Sequence, residues 1–423
     1  MQLRELSGRR VALLGLGADV AAAVPHIAAA GPLEVVAVDD AGSAGELPVG
    51  VERSVSLSEA IDLGTEVFVR SPGFPRYRPE LVAARAAGVA MTTPLDLWLG
   101  THGPGRTVVG ITGTKGKSTV TSLLGAMAEG RGLRVGVAGN LGVPVFAPGW
   151  DGDAPLVVLE VSSYQAADLH HVPDVAVLTF LAEDHLSWHG GVERYTADKL
   201  RLVRNEGGVA GRILVAADGG RAAGALAAAG LSAEVVHPPA GAPASVPVHR
   251  LANAALAAAA LAAAGGPVLD SDAVVDAARG SLPGRLDECP GPVGVLCVDD
   301  ALASNPSATA AGLAWLRSLG RPTVVILGGA DRGVDPTPLV EEAGRWAPGS
   351  LRAVVVPDNG AALAAAAGIP VLGEAGGIAD AVTRARLALR DGDALLFSPA
   401  APTPPGAGNW STRSDAFRAA VHP

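Results

Sequence analysis

Residues 108–124 read VVGITGTKGKSTVTSLL, and this stretch passes from a strand pattern through a glycine loop into a helix pattern. TVVGITG is a short apolar run typical of a buried strand, and STVTSLLGAMAEG follows it with helical composition. Such a loop directs backbone N–H groups and the positive end of a helix dipole towards an anion. The stretch therefore predicts a phosphate-binding loop, made of Gly113, Thr114, Lys115, Gly116, Lys117, Ser118 and Thr119.

Two of the chain's three lysines lie in this loop, whereas its other 29 basic residues are arginines. Lysine is a compact charge on a flexible stem, so Lys117 can reach the terminal phosphates of a nucleotide where a planar guanidinium would crowd the loop. The Ser118 hydroxyl is placed to coordinate Mg²⁺. The strict G-x-x-x-x-G-K-[ST] spacing is not met, because Ile111 occupies the first glycine position. A glycine turn with solvent-facing lysines is the alternative, and the scarcity of lysine disfavours it.

A second group of candidate residues follows two apolar runs further along the chain. PLVVLE ends in Glu160, and a carboxylate that closes a buried strand beside a phosphate loop is a plausible Mg²⁺ ligand. VAVLTF leads into LAEDHLSWHGGVERYTADKL, which contains His185 and the third lysine, Lys199. Taken singly, these residues read as a solvated strand end, a structural histidine and a surface lysine. Their occurrence together with the loop favours a functional site.

Length and composition indicate a soluble globular protein of about three domains, since domains average about 150 residues and this chain has 423. Apolar residues make up 49% of it and charged residues 17%, which argues against disorder. A net charge of −10 disfavours nucleic acid as a partner. Cys289 and Cys297 are too few for a disulfide framework or a zinc site, so we expect a cytoplasmic protein.

The N-terminus offers an alternative interpretation. Arg9 and Arg10 precede VALLGLGADVAAAV, which could be taken for a twin-arginine export signal. Asp19 interrupts that apolar stretch, and VALLGLG also reads as a strand that enters a glycine turn, so we expect no export. No uninterrupted apolar run reaches the roughly 18 residues that a membrane span needs.

Apolar β-branched runs alternate with Ala/Leu-rich helical stretches along the whole chain, which predicts an α/β protein with parallel sheets. The strand candidates are RVALLGLG, LEVVAVDD, EVFVRSPG, TVVGITG, LRVGVAGN, PLVVLEVSS, VAVLTF, GVLCVDD, PTVVILGG, AVVVPD and ALLFSPA. Two Gly/Pro-rich passages, residues 101–107 and 281–294, predict linkers. We therefore expect three domains, comprising residues 1–104, 105–285 and 286–423.

Several motifs in the expected order resemble those of the Mur ligase family, which builds the peptide stem of bacterial peptidoglycan, and above all its glutamate-adding MurD branch. GITGTKGKST resembles the family's ATP loop, AGNLGVP its substrate loop and LEVSSYQ its metal strand. EDHLSWHGGVERYTADKLRL resembles its metal-and-lysine segment, SLPGRLDE its adenine-side arginine motif and LGGADRGVD its C-terminal glycine motif. The resemblance runs along essentially the whole chain.

The resemblance implies a Rossmann-like domain that binds UDP, a central P-loop ATPase domain and a Rossmann-like domain that binds the incoming amino acid. It also implies an enzyme that makes an amide through an acyl phosphate, with ATP, UDP-N-acetylmuramoyl-L-alanine and glutamate as substrates. We expect a monomer. Two Mg²⁺ ions are implied, one held by Ser118 and Glu160 and a second served by His185. Lys199 would be carbamylated and help to position the second ion, and Lys117 would bind the ATP phosphates. The role of Lys115 stays open, because its side chain could contact a phosphate or remain solvated.

The resemblance carries further positions onto this chain. Leu16, Asp39, Ser71 and Gly73 would lie near the UDP moiety, and Asn140 would face the sugar-peptide substrate. Asn253, Arg285 and Asp300 would bracket the adenosine. The residues that match positions around the incoming glutamate are Ser304, Arg332, Thr403 and Trp410.

The C-terminal tail departs from the pattern of ordinary D-glutamate-adding relatives. They tend to read SPACASxDxFxxF, whereas this chain reads SPAAPTPPGAGNW from Ser398 to Trp410. A subgroup of MurD-like ligases adds L-glutamate, and the GTKGKST loop, the TTPLDLWL stretch and the altered tail resemble that subgroup more closely. We therefore favour L-glutamate, with D-glutamate as the alternative.

Without the resemblance, the residues also allow two functions of other classes. GLGADV and VVAVDD resemble a dinucleotide fingerprint, with Asp39 after the second strand, and would suit an NAD-dependent oxidoreductase. Val20 replaces the third glycine of that fingerprint, and the phosphate loop would have no use in such an enzyme. A non-catalytic nucleotide-binding regulator would retain the loop but turn nothing over.

Overall fold

The computed structural model of the chain describes residues 1–39, 47–243, 246–280, 284–331, 335–404 and 406–422. The chain divides into two compact units, Met1–Gly241 with Val248–Ala278, and Ala242–Pro247 with Arg279–Pro423. The first unit carries two large sheets and the second carries one, each with helices between its strands, which confirms the α/β class. Within the described ranges, no helix is both long enough and apolar enough to cross a membrane.

The first sheet is parallel throughout and has the strand order β3-β2-β1-β4-β5. Its inner strands β2, β1 and β4 are buried on both faces along most of their length, as expected where helices cover a parallel sheet on both sides. The strands are β1 Arg10–Leu14, β2 Glu34–Val38, β3 Arg53–Val55, β4 Val67–Arg70 and β5 Ala90–Thr92. A 3₁₀ helix Leu3–Leu6 precedes them, and the helices are α1 Ala18–Ala29, α2 Leu57–Asp62, α3 Pro79–Ala86 and α4 Pro94–His102.

The second sheet is also parallel, in the order β13-β12-β9-β6-β8-β7, and a short antiparallel hairpin accompanies it. The sheet strands are β6 Thr107–Thr112, β7 Val135–Gly139, β8 Leu156–Glu160, β9 Val175–Leu178, β12 Arg212–Ala216 and β13 Glu234–Val236, and the hairpin strands are β10 Arg204–Asn205 and β11 Gly208–Val209. The helices are α5 Lys117–Glu129, α6 Ser163–Ala166, α7 Leu186–His189, α8 Val192–Leu200, α9 Ala222–Ala228, α10 Val248–Ala263 and α11 Ser271–Arg279.

The third sheet lies in the second unit and has the order β14-β15-β19-β16-β17-β18. Only its edge strand β14 runs antiparallel to its neighbour. The strands are β14 Asp287–Cys289, β15 Leu296–Asp299, β16 Thr323–Leu327, β17 Leu351–Val355, β18 Val371–Glu374 and β19 Ala394–Phe397. The helices are α12 Pro306–Ser318, α13 Thr337–Ala343, α14 Gly360–Ala366, α15 Ile378–Arg386 and α16 Trp410–Val421.

The three sheets fall within the three segments that the sequence predicts, but the structure groups the first two sheets in one compact unit. The residue-level boundaries at 104 and 285 therefore stay predictions. The prediction of a linker over 101–107 is wrong at both ends. Thr101 and His102 complete α4, and β6 already begins at Thr107, because the apolar run PLDLWLG continues its helix to the edge of the Gly/Pro turn.

Candidate functional site

The predicted phosphate loop lies between the end of β6 and the start of α5, at the centre of the second sheet. β6 pairs with β8 on one side and β9 on the other, so the loop opens at the carboxyl ends of three strands. Gly116 has φ +89° and precedes α5, and a Cβ there would lie 2.6 Å from Oδ1 of Asn253. Only glycine allows the loop this conformation and this approach to α10. The structure thus brings Asn253, a predicted nucleotide contact, to the loop.

The first half of the loop is tied to the chain that follows β9. The backbone N–H groups of Thr114 and Lys115 donate to the Phe180 carbonyl, at 2.7 and 3.2 Å. The Thr114 hydroxyl lies 2.8 Å from the Tyr195 hydroxyl and donates to the Ala182 carbonyl at 2.9 Å. Thr114 therefore supports the shape of the loop, and its amide is already engaged.

The second half of the loop presents the N-terminus of α5. The Gly116 N-cap provides no side-chain acceptor, whereas Ser56, Thr93, Ser162, Asn305 and Asn409 cap their own helices with side-chain oxygens. The amides in the first turn of a helix have no intrahelical acceptor, so those of Ser118 and Thr119 suit an anion. The Lys117 ammonium donates to the Thr114 carbonyl at 3.3 Å and lies over the same loop.

Lys199 is buried beneath the loop, where its ammonium donates to the Gly113 carbonyl at 2.8 Å. Burial, and after it the nearby charge of Lys117, holds the pKa of Lys199 well below its usual value. A lowered pKa favours the neutral form of the lysine amine, which is a nucleophile.

Glu160 closes β8 opposite Ile111 of β6, so its carboxylate reaches the edge of the sheet where the loop begins. The side chain is buried, and its Oε1 accepts a hydrogen bond from Nδ2 of Asn140 at 2.9 Å. Its Oε2 is buried without a hydrogen-bond partner among the residues that the structure describes. Buried carboxylate oxygens are almost always satisfied, so an unpartnered one beside a phosphate loop fits a metal ligand.

His185 precedes α7 with φ +52°, an uncommon conformation for a residue other than glycine. Its side chain is 42% exposed, and its ring centroid lies 4.9 Å from that of Tyr164. Partial burial lowers the pKa of His185, which favours the neutral imidazole that metals bind. Among the residues that the structure describes, no three His, Cys, Asp or Glu side chains lie close enough together to hold a metal ion. The predicted ligand set, which combines Ser118, Glu160, His185 and Lys199, contains only two such residues.

The predicted UDP residues gather at the carboxyl end of the first sheet. β1 lies between β2 and β4, so the turn with Leu16, the end of β2 with Asp39 and the turn with Ser71 are neighbours. The Ser71 amide donates to the Leu14 carbonyl at 3.0 Å, and Gly73 follows on the surface. Asn140 lies elsewhere, next to Glu160 in the second sheet.

A buried charge cluster between the first two sheets was missed by the sequence analysis. Arg70 ends β4 and donates from Nε to Asp168 Oδ2 at 2.6 Å, while Arg76 donates from Nε to Asp168 Oδ1 at 2.5 Å. Arg70 also donates to the carbonyls of Ser71, Pro72, Phe74 and Tyr164, and so holds the turn that contains Ser71 and Gly73. An arginine at the end of the buried run VFVR was the available signal, because a buried charge needs a partner.

In the second unit, a cavity of about 390 Å³ lies among the carboxyl ends of the third sheet and neighbouring turns. Ser304, Asp331, Asn359 and Pro402 contribute to its wall, and Thr403 follows Pro402. Arg332 lies outside the described residues. Trp410 instead packs near Gly284, where an added Cβ would lie 2.9 Å from Cζ3 of the indole.

The two predicted adenosine contacts of the second unit differ in burial. Asp300 is buried, and its carboxylate accepts from the Leu286 amide at 3.2 Å and from the Ser398 hydroxyl at 2.7 Å. Arg285 is half-buried next to Leu286. The Asp300 side chain therefore faces the interior of its unit.

Comparison with known proteins places these features in one family. A family model described as the Mur ligase middle domain matches residues 111–232. UDP-N-acetylmuramoyl-L-alanine–L-glutamate ligases from Micromonospora sp. and Salinispora tropica are 38% and 37% identical, covering all of this chain and 98% and 99% of theirs. A UDP-N-acetylmuramoylalanine–D-glutamate ligase from Streptomyces coelicolor is 32% identical over 99% of this chain and 98% of its own.

Solved structures give the same result for the fold. MurF ligase from Thermotoga maritima, in complex with ADP, matches with a TM-score of 0.56 at 15% identity, over 99% of this chain and 96% of that one. MurC from Thermotoga maritima matches with a TM-score of 0.53 at 17% identity, over 97% and 98%. At these identities the likeness concerns the fold alone, whereas the full-length relatives above 30% show the family. This chain is therefore an enzyme of the Mur ligase family and a MurD-like member of it.

Proposed function

We propose that this protein catalyses the ATP-dependent addition of glutamate to UDP-N-acetylmuramoyl-L-alanine, a step of peptidoglycan precursor synthesis. Full-length relatives that carry this activity in their names support the proposal. The structural observation that carries it is the phosphate loop with Lys117 above it, Lys199 buried beneath it and an unpartnered Glu160 oxygen at its edge.

The proposed reaction has two steps. The substrate carboxylate attacks the γ-phosphorus of ATP, which forms an acyl phosphate and releases ADP. The glutamate amine then attacks the acyl carbon, loses a proton, and expels phosphate to leave an amide. The amides of Ser118 and Thr119 and the Lys117 ammonium bind and orient the phosphates, since phosphoryl transfer depends mainly on positioning and electrostatics.

Mg²⁺, when bound, would offset the negative charge of the transferred phosphoryl group. Ser118 and Glu160 are the proposed holders of one ion, and His185 with Lys199 those of a second. For the second role we propose that Lys199 carries a carbamate. Its amine adds to CO₂ and releases a proton, and the product is an anionic oxygen ligand in place of a cation. The lowered pKa of Lys199 supports this, because only the neutral amine reacts.

We propose the cavity of the second unit as the glutamate site. Ser304 on its wall is one of the positions that the resemblance assigned to the amino acid, and Thr403, another of them, directly follows Pro402 of the wall. L-glutamate is the favoured substrate, because the compared relatives named for the L enantiomer are 33–38% identical while those named for the D enantiomer are 32–33% identical.

The substrate is tested with purified protein, ATP, Mg²⁺ and UDP-N-acetylmuramoyl-L-alanine, offered with each glutamate enantiomer in a separate reaction. Phosphate release and chiral analysis of the hydrolysed product measure ligation. We expect L-glutamate to be ligated at least about tenfold faster, which corresponds to about 1.4 kcal/mol of discrimination. Preferential use of D-glutamate would reverse the choice of enantiomer, and no amide with either enantiomer would refute the function.

The roles of the two lysines are tested by Lys117→Ala and Lys199→Ala, each assayed with and without added formate. Both variants should lose activity, and formate should restore part of it only to Lys199→Ala, because formate can replace a carbamate but not an ammonium. Lys199→Arg serves as the matched control, since a guanidinium keeps the charge yet takes up no CO₂. Full turnover by Lys199→Arg would contradict the carbamate.

A further inference from the structure

Four side chains, three buried and Tyr77 half-buried, form an unbroken series of hydrogen bonds next to the candidate metal site. The Tyr77 hydroxyl donates to Asp198 at 2.6 Å (Oδ2) and 2.8 Å (Oδ1). Nδ1 of His189 lies 2.6 Å from Asp198 Oδ2, and Nε2 of His189 lies 3.0 Å from the Ser163 hydroxyl. His189, Ser163 and Asp198 are all buried. Both nitrogens of the imidazole are therefore engaged, and its orientation is fixed.

The partners determine the proton positions in this series. A carboxylate only accepts, so Nδ1 of His189 carries the hydrogen that it donates to Asp198. In the neutral imidazole Nε2 is an acceptor, and the Ser163 hydroxyl donates to it. The order Ser–His–Asp matches that of hydrolase triads, but Ser163 is 2% exposed and forms the first turn of α6. No substrate carbonyl can reach it, so the arrangement orients groups and does not attack them.

Three of the four hydrogen-bonded residues lie in the segments that carry Glu160, His185 and Lys199, three of the four candidate metal ligands. Ser163 lies three residues after Glu160, on the turn that leaves β8. His189 ends α7, the four-residue helix that follows His185. Asp198 directly precedes Lys199 in α8. The hydrogen bonds of one imidazole and one carboxylate thus connect these segments to one another.

The short helix α8 depends on such anchors. It has nine residues and follows the two glycines 190 and 191, both with positive φ, so neither its length nor its start fixes its orientation. Neighbouring side chains in a helix are about 100° apart around its axis, so holding Asp198 sets the direction of Lys199. The Tyr195 hydroxyl, bonded to Thr114 at 2.8 Å, is the second anchor of this helix.

We infer that His189 and Asp198 are positioning residues of the active site, which hold Lys199 under the Gly113 carbonyl and in register with Glu160 and His185. This inference rests on the role proposed above for Lys199. Neither residue is assigned a contact with substrate. Residues that orient metal ligands through hydrogen bonds commonly change metal affinity or activity by about 10–100-fold when they are replaced.

The test compares Asp198→Asn with Asp96→Asn. Asp96 is also a buried aspartate bonded to histidines, His170 and His171, and it lies outside the proposed site. Each variant is incubated with ¹³C-bicarbonate, and the carbamate resonance is recorded by NMR, with Lys199→Ala as the blank. The Mg²⁺ concentration for half-maximal activity and the thermal midpoint Tm are measured on the same samples.

We expect both variants to lower Tm, while only Asp198→Asn weakens the carbamate signal and raises the required Mg²⁺ concentration by about tenfold or more. Equal behaviour of the two variants in these two measurements would overturn the inference. If Asp198→Asn fails to fold, His189→Asn replaces it, because the Asn amide can still donate to Asp198 but cannot reach Ser163. This variant should show an intermediate loss, and wild-type values for it would also overturn the inference. A wild-type protein that is active without a carbamate signal refutes the proposed carbamate, and the Mg²⁺ measurement alone then decides the inference.

Discussion

Asp300 is a carboxyl group held where its negative charge has almost no access to solvent. Burial raises its pKa to about 7, and the hydrogen bonds from Ser398 and from the Leu286 amide offset only part of this effect. When protonated, Asp300 can donate to the Ser398 hydroxyl, which in turn donates to Thr309 at 2.8 Å. The neutral acid is therefore well accommodated in the folded second unit.

This shift makes the stability of the second unit depend on pH. The ordinary pKa of the group is 3.8, so the folded protein holds the proton more tightly than the unfolded chain does. The stabilisation that protonated Asp300 adds to the free energy of unfolding is complete below pH 3.8. It is lost as the pH rises towards about 7, at about 1.4 kcal/mol for each pH unit. Asp300→Asn keeps the shape of the group and removes its titration.

We therefore predict that the free energy of unfolding of Asp300→Asn, relative to wild type, rises between about pH 4 and about pH 7. Urea unfolding of the nucleotide-free proteins at several pH values measures it. Asp335→Asn is the control, because Asp335 is exposed and bonded to Thr337, and its pKa lies below the usual value. A difference between wild type and Asp300→Asn that stays constant with pH would contradict the raised pKa.

Sequence reasoning identified single residues where their type was rare or their motif was specific. Lys199 and Lys117 attracted attention because lysine is scarce in this chain, and the structure brings both to the loop around Gly113. The interior position of Asp300 could not be read in the same way. Its burial depends on Ser398, which is 98 positions away, and a pattern of neighbouring residues cannot predict a contact over that distance.

Among the elements, the loop before α5 combines an unusual backbone with a close approach. Gly116 has φ +89°, and a side chain there would also meet Asn253. Gly132, after the end of the same helix, has φ +73° but nothing within 4 Å of an added Cβ. A side chain at either glycine would therefore strain the backbone, but only one at Gly116 would also collide with a neighbouring residue.

We predict that Gly116→Ala and Gly132→Ala each lose about 1–2 kcal/mol of stability through left-handed backbone strain. Only Gly116→Ala should also weaken ATP binding, by about tenfold or more, equivalent to about 1.4 kcal/mol. The added methyl group displaces either the loop or Asn253, and both are predicted to contact the nucleotide. Urea unfolding and calorimetric titration with ATP measure the two effects. Equal ATP affinities for the two variants would contradict the prediction that the loop binds ATP.

Strands of the sheet interiors could be predicted far better than strands of the edges. All eleven runs proposed from the sequence form strands, from RVALL of β1 to ALLF of β19. The missed strands include the edge strands β3, β5, β13, β14 and β18, most of which have only three residues. An edge strand is covered less and needs fewer apolar residues, so its sequence resembles a loop. β12 was missed although its residues ILVA are buried, because polar residues and glycines flank a short run.

At the scale of the whole molecule, the Asp168 cluster joins the first sheet to the second within one compact unit. Arg70 and Arg76 belong to the first sheet and the turn after it, whereas Asp168 follows α6. Burial alone would raise the pKa of Asp168, but the two guanidinium groups hold it below its usual value. The two pairs span 98 and 92 positions, so no local pattern in the sequence could predict this connection.

We predict that Asp168→Asn lowers the free energy of unfolding of the first unit by about 3–5 kcal/mol, because it leaves two buried guanidinium groups without an anion. Glu234→Gln is the control, since it breaks the pair with Arg212, in which both side chains are 52% exposed, and should cost about 1 kcal/mol or less. Urea unfolding monitored by circular dichroism compares the two variants with wild type. The stabilisation by the Asp168 carboxylate is complete above pH 3.8, and it is lost only as the pH falls through the lowered pKa of the folded state. The difference in free energy of unfolding between wild type and Asp168→Asn should therefore become smaller in acid. Similar small losses in both variants at neutral pH would show that the cluster does not hold the two sheets together.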